Sequence, residues 1–250
     1  MKSSLVYYPH GLGDVIMLTP CMRELFNDGY KTTLLCHVDV VESHLLDDCP
    51  YIESIVPVAN PWRCEKGFEI ETQRKLNLDT YENMKHDYEF AGKCLHKDFK
   101  DGQHKIDKNA EELDINLTDR HLEVWIPEQA KEAVDLVWGD YGFLFLHNVV
   151  PDHPYHSWDG AGEWCNENLL KIGIVYDTSN FIDDEYQSPN INLTFALLEK
   201  AKHRVICSSV FVHACEALNL EIDCLYYGRP DPKVEPLNEA LVKHKIIGGK

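Results

Sequence analysis

The sequence predicts an α/β protein built from two Rossmann-like domains, and three observations support this fold class. An apolar strand, a short glycine-containing loop and a helix follow one another at residues 5–26. Apolar strand-like runs and helical patterns then alternate through residue 60, and the same alternation resumes after Gly139. Strands separated by helices predict parallel sheets with right-handed crossovers.

The opening unit has the clearest pattern in the chain. Leu5–Tyr8 predicts a buried strand and His10–Asp14 a tight loop. The helix that follows has an apolar residue at every fourth position from Met17. Pro20 predicts either a kink or a late start for this helix, because proline has no N–H to donate.

The loop of this unit contains candidate functional residues. Gly11 and Gly13 lack a Cβ atom, so the backbone can pass close to a ligand. A helix start offers free N–H groups and the positive end of the helix dipole. Asp14 stands at this junction, where it can cap the helix or face a cleft, and both interpretations are open at this point.

The rest of the first domain, predicted to span residues 1–138, has two parts. The first contains three further elements: strands at Lys31–His37 and Ile52–Val58, and a short helix at Val40–Asp47. Arg63–Glu123 is richer in charged residues, with a predicted helix at Tyr81–Cys94 and a mobile loop at Lys97–Asn109. This stretch is either a solvated face or a flap for an anionic acceptor, whose candidate lysines are Lys93, Lys97, Lys100, Lys105 and Lys108.

The second domain is predicted at residues 139–250. A strand at His121–Ile126 and a helix at Glu128–Trp138, which Pro127 opens, lead into it. The predicted strands of this domain are Phe143–His147, Ile172–Tyr176, Arg204–Cys207 and Glu221–Tyr226. Its predicted helices are Glu163–Leu170, Phe195–Lys202, Phe211–Leu218 and Pro236–His244. Two doubly wound halves of this kind bind ligands at the carboxyl ends of their strands.

Composition limits the classes of function. The net charge of −18 argues against binding a polyanion through the overall field, although a local basic cleft remains possible. The nine cysteines contain no CxxC pair and no export signal precedes them, so reduced thiols and a cytoplasmic location are expected. His147, His153 and His156 do not have the spacing of a zinc site, and no metal site is predicted.

Three segments resemble glycosyltransferase family 9, the heptosyltransferase-like group with the two-Rossmann-domain GT-B architecture. The stretch from His10 to Pro20 resembles that family's opening G-x-G-D loop, apolar stretch and T-P. The Pro127 helix running into Phe143–His147 is similar to the family's linker and the first strand of its nucleotide-binding half. Asn192–Leu218 resembles its C-terminal helix, strand and loop.

The resemblance implies sugar transfer from a nucleotide-activated donor to a hydroxyl acceptor on a glycan or lipid-linked saccharide. It implies two domains facing each other across a cleft, inversion at the anomeric carbon, and no cofactor or metal beyond the nucleotide-sugar donor itself. Asp14 would be the general base. The residues expected to bind the donor and its phosphates are Gly11, Gly13, His147, His156, Ser208, Ser209, His213 and Arg229, and those expected to bind the acceptor are His10, Lys93 and Lys97.

The sequence departs from the family in the last of these segments. The family's usual D-T-G-P-x-H is replaced by Ser208-Ser209-Val210-Phe211-Val212-His213. Serines at a helix start can still bind phosphate. Two alternative functions stay open beside sugar transfer to a glycan or lipid-linked saccharide. One is sugar transfer to a hydroxymethylated base in DNA, supported by the lysines of residues 93–108, and the other is a non-catalytic binding or scaffold protein that has kept the fold.

Overall fold

The computed structural model describes residues 1–60, 67–148, 157–169, 175–178, 191–228 and 231–248. The chain divides into two compact units, Met1–Leu122 and Glu123–Lys250. The division lies before the Glu128–Trp138 helix, whereas the sequence placed it after residue 138. This helix belongs with the second unit because it packs against the helix Ile191–Lys200, with Lys131 Nζ 2.9 Å from Glu199 Oε2.

The first unit contains a four-stranded parallel sheet. Its strands are β1 (Lys2–Tyr8), β2 (Tyr30–His37), β3 (Ile52–Val58) and β4 (Phe90–Lys93). Their spatial order is β3-β2-β1-β4, so the strand order reverses between β1 and β4. In doubly wound folds, the carboxyl ends of the two strands at such a reversal flank the ligand crevice.

The helices of this unit are α1 (Leu12–Ile16), α2 (Thr19–Asn27), α3 (Val38–Glu42), α4 (Gly67–Met84) and α5 (Lys105–Leu113). The predicted opening helix is therefore two helices, and Pro20 is the second residue of α2. The late start predicted from this proline is confirmed. The proline's missing N–H removes no hydrogen bond there, because the first helical N–H groups have no partner within a helix.

Two predictions for the charged stretch are wrong in part. The predicted Tyr81–Cys94 helix ends at Met84 as α4, and Phe90–Lys93 instead pairs with β1 as strand β4. The predicted mobile loop Lys97–Asn109 contains the start of α5. This helix buries Ile106, Ala110 and Leu113, an amphipathic spacing that gives it an apolar face to pack on.

Gly92 in β4 packs directly against the Leu113 side chain of α5. A Cβ atom at residue 92 would lie 2.4 Å from Leu113 Cδ2, which is far inside contact distance. We therefore expect Gly92→Val to lower the free energy of unfolding by about 1–3 kcal/mol through overpacking. Ala91→Val is the matched control, because Ala91 lies exposed on the same strand. Chemical denaturation of both variants tests this, and equal stability would contradict the close packing of α5.

The second unit contains a five-stranded parallel sheet. Its strands are β5 (Leu144–His147), β6 (Val175–Asp177), β7 (His203–Cys207), β8 (Ile222–Tyr227) and β9 (Val242–Ile247), in the order β6-β5-β7-β8-β9. Its helices are α6 (Glu128–Trp138), α7 (Ala161–Asn168), α8 (Ile191–Lys200) and α9 (Val210–Ala217). The strand order reverses between β5 and β7, as in flavodoxin-like sheets.

Two elements predicted for the second half differ in the structure. His121–Ile126 forms no strand. The predicted helix Pro236–His244 is wrong, because only Glu239–Leu241 forms a 3-10 turn before Val242–Ile247 pairs with β8. The β-branched residues of this last strand suit a pleated ladder better than a helix. The predicted strand Ile172–Tyr176 lies partly outside the described residues, and β6 begins at Val175.

The cysteines agree with the prediction of reduced thiols. The described cysteines are all buried and form no disulfide, while Cys64 lies outside the described residues. Burial raises the pKa of Cys36 and Cys207 to about 12, so these thiols are protonated and unreactive at neutral pH. Among the helices of the described residues, none is both long and apolar enough to cross a membrane.

Candidate active site

Asp14 lies at the carboxyl end of β1, where the first sheet reverses its order. It is the third residue of α1, whose N-cap is Gly11, and the cap makes no side-chain hydrogen bond. The interpretation of Asp14 as a helix cap is therefore wrong. Its carboxylate instead forms a short ion pair with the ammonium of Lys105, the first residue of α5, and each side chain is 20% exposed.

The electrostatics of this pair keep Asp14 ionised. Burial raises the pKa of the Asp14 carboxyl group and is the largest single influence on it. The charge and hydrogen bond of Lys105, together with His10 and His96, act in the opposite direction, and the net pKa lies below the usual aspartate value. Asp14 is thus a carboxylate at neutral pH and can accept a proton or a hydrogen bond.

Two histidines stack beside this carboxylate. The rings of His10 and His96 lie 3.8 Å apart between centroids and are nearly parallel, at 10°. His10 Nε2 lies 3.0 Å from the carbonyl oxygen of Cys94. A carbonyl only accepts hydrogen bonds, so Nε2 carries the proton and Nδ1 keeps a lone pair. Burial, followed by the neighbouring His96, lowers the pKa of His10 to about 3, so it stays neutral.

Buried hydrogen bonds fix the surroundings of Asp14. The hydroxyl of Tyr8 donates to the Asp14 backbone carbonyl over 2.8 Å, and Tyr8 is fully buried. Asn109, which is also fully buried, donates from Nδ2 to the carbonyl of Met17 over 3.1 Å. These bonds tie α1 to both β1 and α5, so the position of the carboxylate is set by the packed core.

Gly11 leaves space next to the carboxylate. Its φ angle of −73° is available to any residue, so the backbone does not require glycine there. A Cβ atom at residue 11 would lie 3.9 Å from Asp14 Oδ2, in the space beside this oxygen. Gly13 lies inside α1, which is only five residues long. Donor binding by the two glycines stays a prediction.

The lysines proposed as an acceptor flap are mostly paired with acids. Lys93 Nζ lies 3.0 Å from Glu82 Oε1, and Lys100 Nζ lies 2.7 Å from Glu111 Oε2. The backbone N–H of Lys97 donates to Glu112, and its side chain is exposed. The structure brings Lys105 to Asp14, whereas acceptor binding by His10, Lys93 and Lys97 stays a prediction.

The second unit has candidate residues at its own reversal of strand order. His147 ends β5, and its Nδ1 lies 2.7 Å from the hydroxyl of Thr178. Its ring meets Phe211 edge-on, with centroids 4.6 Å apart. Burial is the main cause that lowers the pKa of His147 to about 4, so it is neutral and can position a ligand only through hydrogen bonds.

The serines follow β7 at the same edge. Ser209 is the N-cap of α9, and its hydroxyl oxygen accepts from the N–H of Phe211 over 3.4 Å. Ser208 donates its backbone N–H to Tyr226 over 2.9 Å. His213 is buried within α9. The structure thus brings His147 and the serine loop to neighbouring strand ends, whereas His156 and Arg229 lie outside the described residues.

Sequence reasoning missed part of the arrangement around Asp14. Lys105 was grouped with the flap lysines, and neither His96 nor Asn109 was singled out. The amphipathic spacing from Ile106 to Leu113 was the available signal for α5, whose first turn carries Lys105. Among the described residues, no three His, Cys, Asp or Glu side chains are grouped as metal ligands, while His153 and His156 lie outside them.

This chain is similar to known proteins in structure, although not in sequence. Neither a family model nor a curated protein sequence matches the chain. Among solved structures, a family 9 glycosyltransferase from Veillonella parvula superposes with a TM-score of 0.67 at 15% identity, covering 100% of this chain and 88% of that one. ADP-heptose lipopolysaccharide heptosyltransferase II from E. coli gives a TM-score of 0.66 at 13% identity, with 99% and 90% covered.

A third structure, E. coli heptosyltransferase WaaC with ADP, gives a TM-score of 0.61 at 13% identity, covering 98% of this chain and 94% of that one. The likeness extends over essentially the whole chain in each case. At these identities it establishes the fold alone: this chain has the fold of the family 9 glycosyltransferases and heptosyltransferases.

Proposed function

We propose that this chain, which has the fold of family 9 glycosyltransferases, transfers a sugar from a nucleotide-activated donor to a hydroxyl acceptor on a glycan or lipid-linked saccharide. The observation that carries the proposal is Asp14. It is an ionised carboxylate in a partly buried position, at the carboxyl end of β1 where the first sheet reverses its order. Two of the similar structures are named for ADP-heptose or ADP, which supports a nucleotide-sugar donor.

The proposed reaction is a direct displacement at the anomeric carbon. The acceptor oxygen forms a bond to this carbon while the bond to the nucleotide diphosphate breaks, and the acceptor proton passes to the Asp14 carboxylate. A carboxylate is suited to this step when it lies within hydrogen-bond reach of the hydroxyl. A single displacement inverts the configuration, and the leaving diphosphate needs hydrogen-bond donors or positive charge rather than a proton.

The second unit is proposed to bind the donor. His147 and the loop of Ser208 and Ser209 lie at the ends of β5 and β7, where flavodoxin-like sheets bind phosphate-containing ligands. The N–H groups that begin α9, an eight-residue helix, add donors for an anion. The proposed mechanism uses no metal ion, and the expected location is the cytoplasm.

The structure does not favour DNA as the acceptor. Its support was the positive charge of the lysines at residues 93–108. Lys93, Lys100, Lys105 and Lys108 all form ion pairs with carboxylates, which cancels much of that charge. A phosphate backbone would have to compete with these acids for each lysine.

A panel of nucleotide diphosphates tests the donor half of the proposal. We expect at least one of ADP, GDP, UDP and CDP to raise the melting temperature. At a concentration of about 100 Kd, binding adds roughly 2.7 kcal/mol to the free energy of unfolding, which corresponds to several degrees for a chain of this size. If no diphosphate stabilises the protein, a non-catalytic scaffold explains the chain better.

Turnover is tested by incubating the protein with a panel of nucleotide sugars and measuring nucleotide release. Release from one donor, accelerated by a hydroxyl acceptor, is the expected result. Divalent-metal chelation should leave the rate unchanged if the proposed metal-free mechanism is correct. Loss of activity on chelation would contradict that part of the proposal alone.

A further inference from the structure

The loop that follows β4 wraps around a carboxylate. The backbone N–H groups of Leu95 and His96 donate to Glu112 Oε2 over 2.6 and 3.0 Å, and that of Lys97 donates to Oε1 over 3.2 Å. Successive N–H groups that converge on one anion form a nest, a concave site for negative charge. Here the anion is supplied by the protein itself, by Glu112 in the last turn of α5.

This loop needs such an anchor. His96 has a φ angle of +52°, in the left-handed region that a residue with a Cβ atom rarely adopts. Asp98 has a φ angle of +55°. Hydrogen bonds from N–H groups to an ionised carboxylate are stronger than neutral ones, so Glu112 can hold this backbone conformation. The ammonium of Lys108, itself only 6% exposed, lies 3.5 Å from Glu112 Oε1 and also attracts this carboxylate.

The anchored loop places two groups against His10. The Cys94 carbonyl accepts the Nε2 proton of His10, and the His96 ring stacks on the His10 ring. The His96 ring is held in turn by Asn109, whose Oδ1 lies 2.7 Å from its Nε2. Since Asn109 Nδ2 donates to the Met17 carbonyl, its Oδ1 faces the ring and accepts a hydrogen bond from His96 Nε2.

Both His10 and Asp14 present hydrogen-bond acceptors. His10 has committed its only proton to Cys94 and is left with a lone pair on Nδ1, while Asp14 presents a carboxylate. Two hydrogen-bond acceptors in one group of side chains favour a ligand that donates, such as a hydroxyl. An ionised carboxylate has no proton to donate to either acceptor.

We propose that Glu112 is a positioning residue: by binding the N–H groups of Leu95, His96 and Lys97, it holds His10 in its neutral Nε2–H form beside Asp14, where His10 accepts a hydrogen bond from the acceptor hydroxyl. The role of His10 in binding the acceptor hydroxyl rests on the proposed sugar transfer. The nest, the stacked rings and the tautomer of His10 do not depend on it, so they can be tested separately.

The first test reads the tautomer of His10 by NMR of protein labelled with ¹⁵N-histidine, with the His10 signal assigned from the spectrum of His10→Asn. Wild type should show one Nε2–H tautomer that does not titrate between about pH 5 and 8. In Glu112→Ala, His10 should show mixed tautomers and titrate closer to the ordinary histidine pKa of about 6.5. An unchanged His10 signal in Glu112→Ala would overturn the proposal.

Two further variants keep the result interpretable. Glu111→Ala removes the same charge from the neighbouring position of α5, where Glu111 contacts Lys100, Gln103 and Lys108 but no backbone N–H of the loop. It should leave His10 unchanged, and an effect equal to that of Glu112→Ala would contradict a specific role for the nest. If Glu112→Ala does not fold, Glu112→Gln decides, because its amide oxygen still accepts from Leu95 and His96 and should give a smaller effect of the same kind.

The second test uses the transfer reaction. Glu112→Ala should raise the KM for the acceptor about tenfold or more, since small misplacements of positioning groups have effects of this size, and leave the KM for the nucleotide sugar unchanged. Equal changes in both KM values would overturn the role in acceptor recognition. If wild type transfers no sugar to any acceptor, the proposed function fails, but the NMR result still decides whether Glu112 positions His10.

Discussion

Replacing Asp14 with asparagine should abolish sugar transfer while leaving the protein folded and able to bind nucleotide. Asparagine keeps the size of the side chain but cannot take the acceptor proton. Loss of a general base lowers kcat by about 10²–10⁴-fold. The measurement is nucleotide release with the preferred donor and acceptor, beside a thermal-shift titration with the matching nucleotide diphosphate. Full activity in this variant would eliminate Asp14 as the base.

Asp107→Asn is the matched control for this experiment. Asp107 lies in α5 two residues after Lys105, and its carboxylate pairs with Arg120 at 2.6 Å on the surface. Removing its charge changes the local field without touching Asp14. We expect activity close to wild type. A comparable loss in Asp107→Asn would show that general charge near α5, and not proton transfer to Asp14, limits the reaction.

Replacing Lys105 with methionine should raise the pKa of Asp14 and move the acid limb of the pH–rate profile to higher pH. Burial pushes this pKa up, and the Lys105 ammonium is the main opposing influence, so its removal lets burial dominate. The profile of kcat/KM against pH checks this, because it reports the ionisation of the free enzyme. An acid limb at the wild-type position would show that Lys105 does not control Asp14.

Lys105→Met should also change the free energy of unfolding, and the shifted pKa of Asp14 determines the sign of this change. The folded-state pKa of Asp14 lies below its unfolded value, so the ion pair contributes stability above the unfolded pKa, and this is lost as pH falls through the folded pKa. Lys105→Met should thus be less stable than wild type by about 1–3 kcal/mol at neutral pH, between the values for exposed and buried pairs. The difference should shrink in acid.

Lys100→Met is the matched control for Lys105. Its ammonium pairs with Glu111 and is 72% exposed, so solvent screens the interaction. We expect little change in denaturation midpoint and none in the pH profile. Parallel urea titrations of the two variants at neutral and acidic pH separate the specific ion pair from a general effect of removing a lysine.

The comparison between sequence and structure is clearest in the charged middle of the chain. A surplus of charge suggested a mobile flap, yet α5 is an ordered helix whose Ile106 and Asn109 are fully buried. Local composition reports how polar a segment is, whereas burial depends on which residues share one face. Phe90–Lys93 shows the same limit, because a four-residue strand is defined by pairing with β1 and not by its own propensity.

The helix predicted at the end of the chain is wrong for a related reason. Pro236–His244 has a helical pattern of apolar residues, but β9 gains a ladder of hydrogen bonds with β8 that no local pattern reveals. In contrast, α6 was predicted with its observed bounds, since Pro127 and Gly139 mark its two ends. Elements bounded by residues such as proline or glycine could be predicted from the local sequence. Strands that form by pairing with distant residues could not.

The sequence by itself determined the alternation of strands and helices, the glycine loop after β1 and the place of Asp14 within it, because these depend on neighbouring residues. Only the tertiary structure decided what surrounds Asp14. Lys105, His96 and Glu112 come from a segment far along the chain, and packing of α5 on β4 and α2 brings them to the end of β1. The charge state of Asp14 follows from that packing, since burial and an opposing cation together set its pKa.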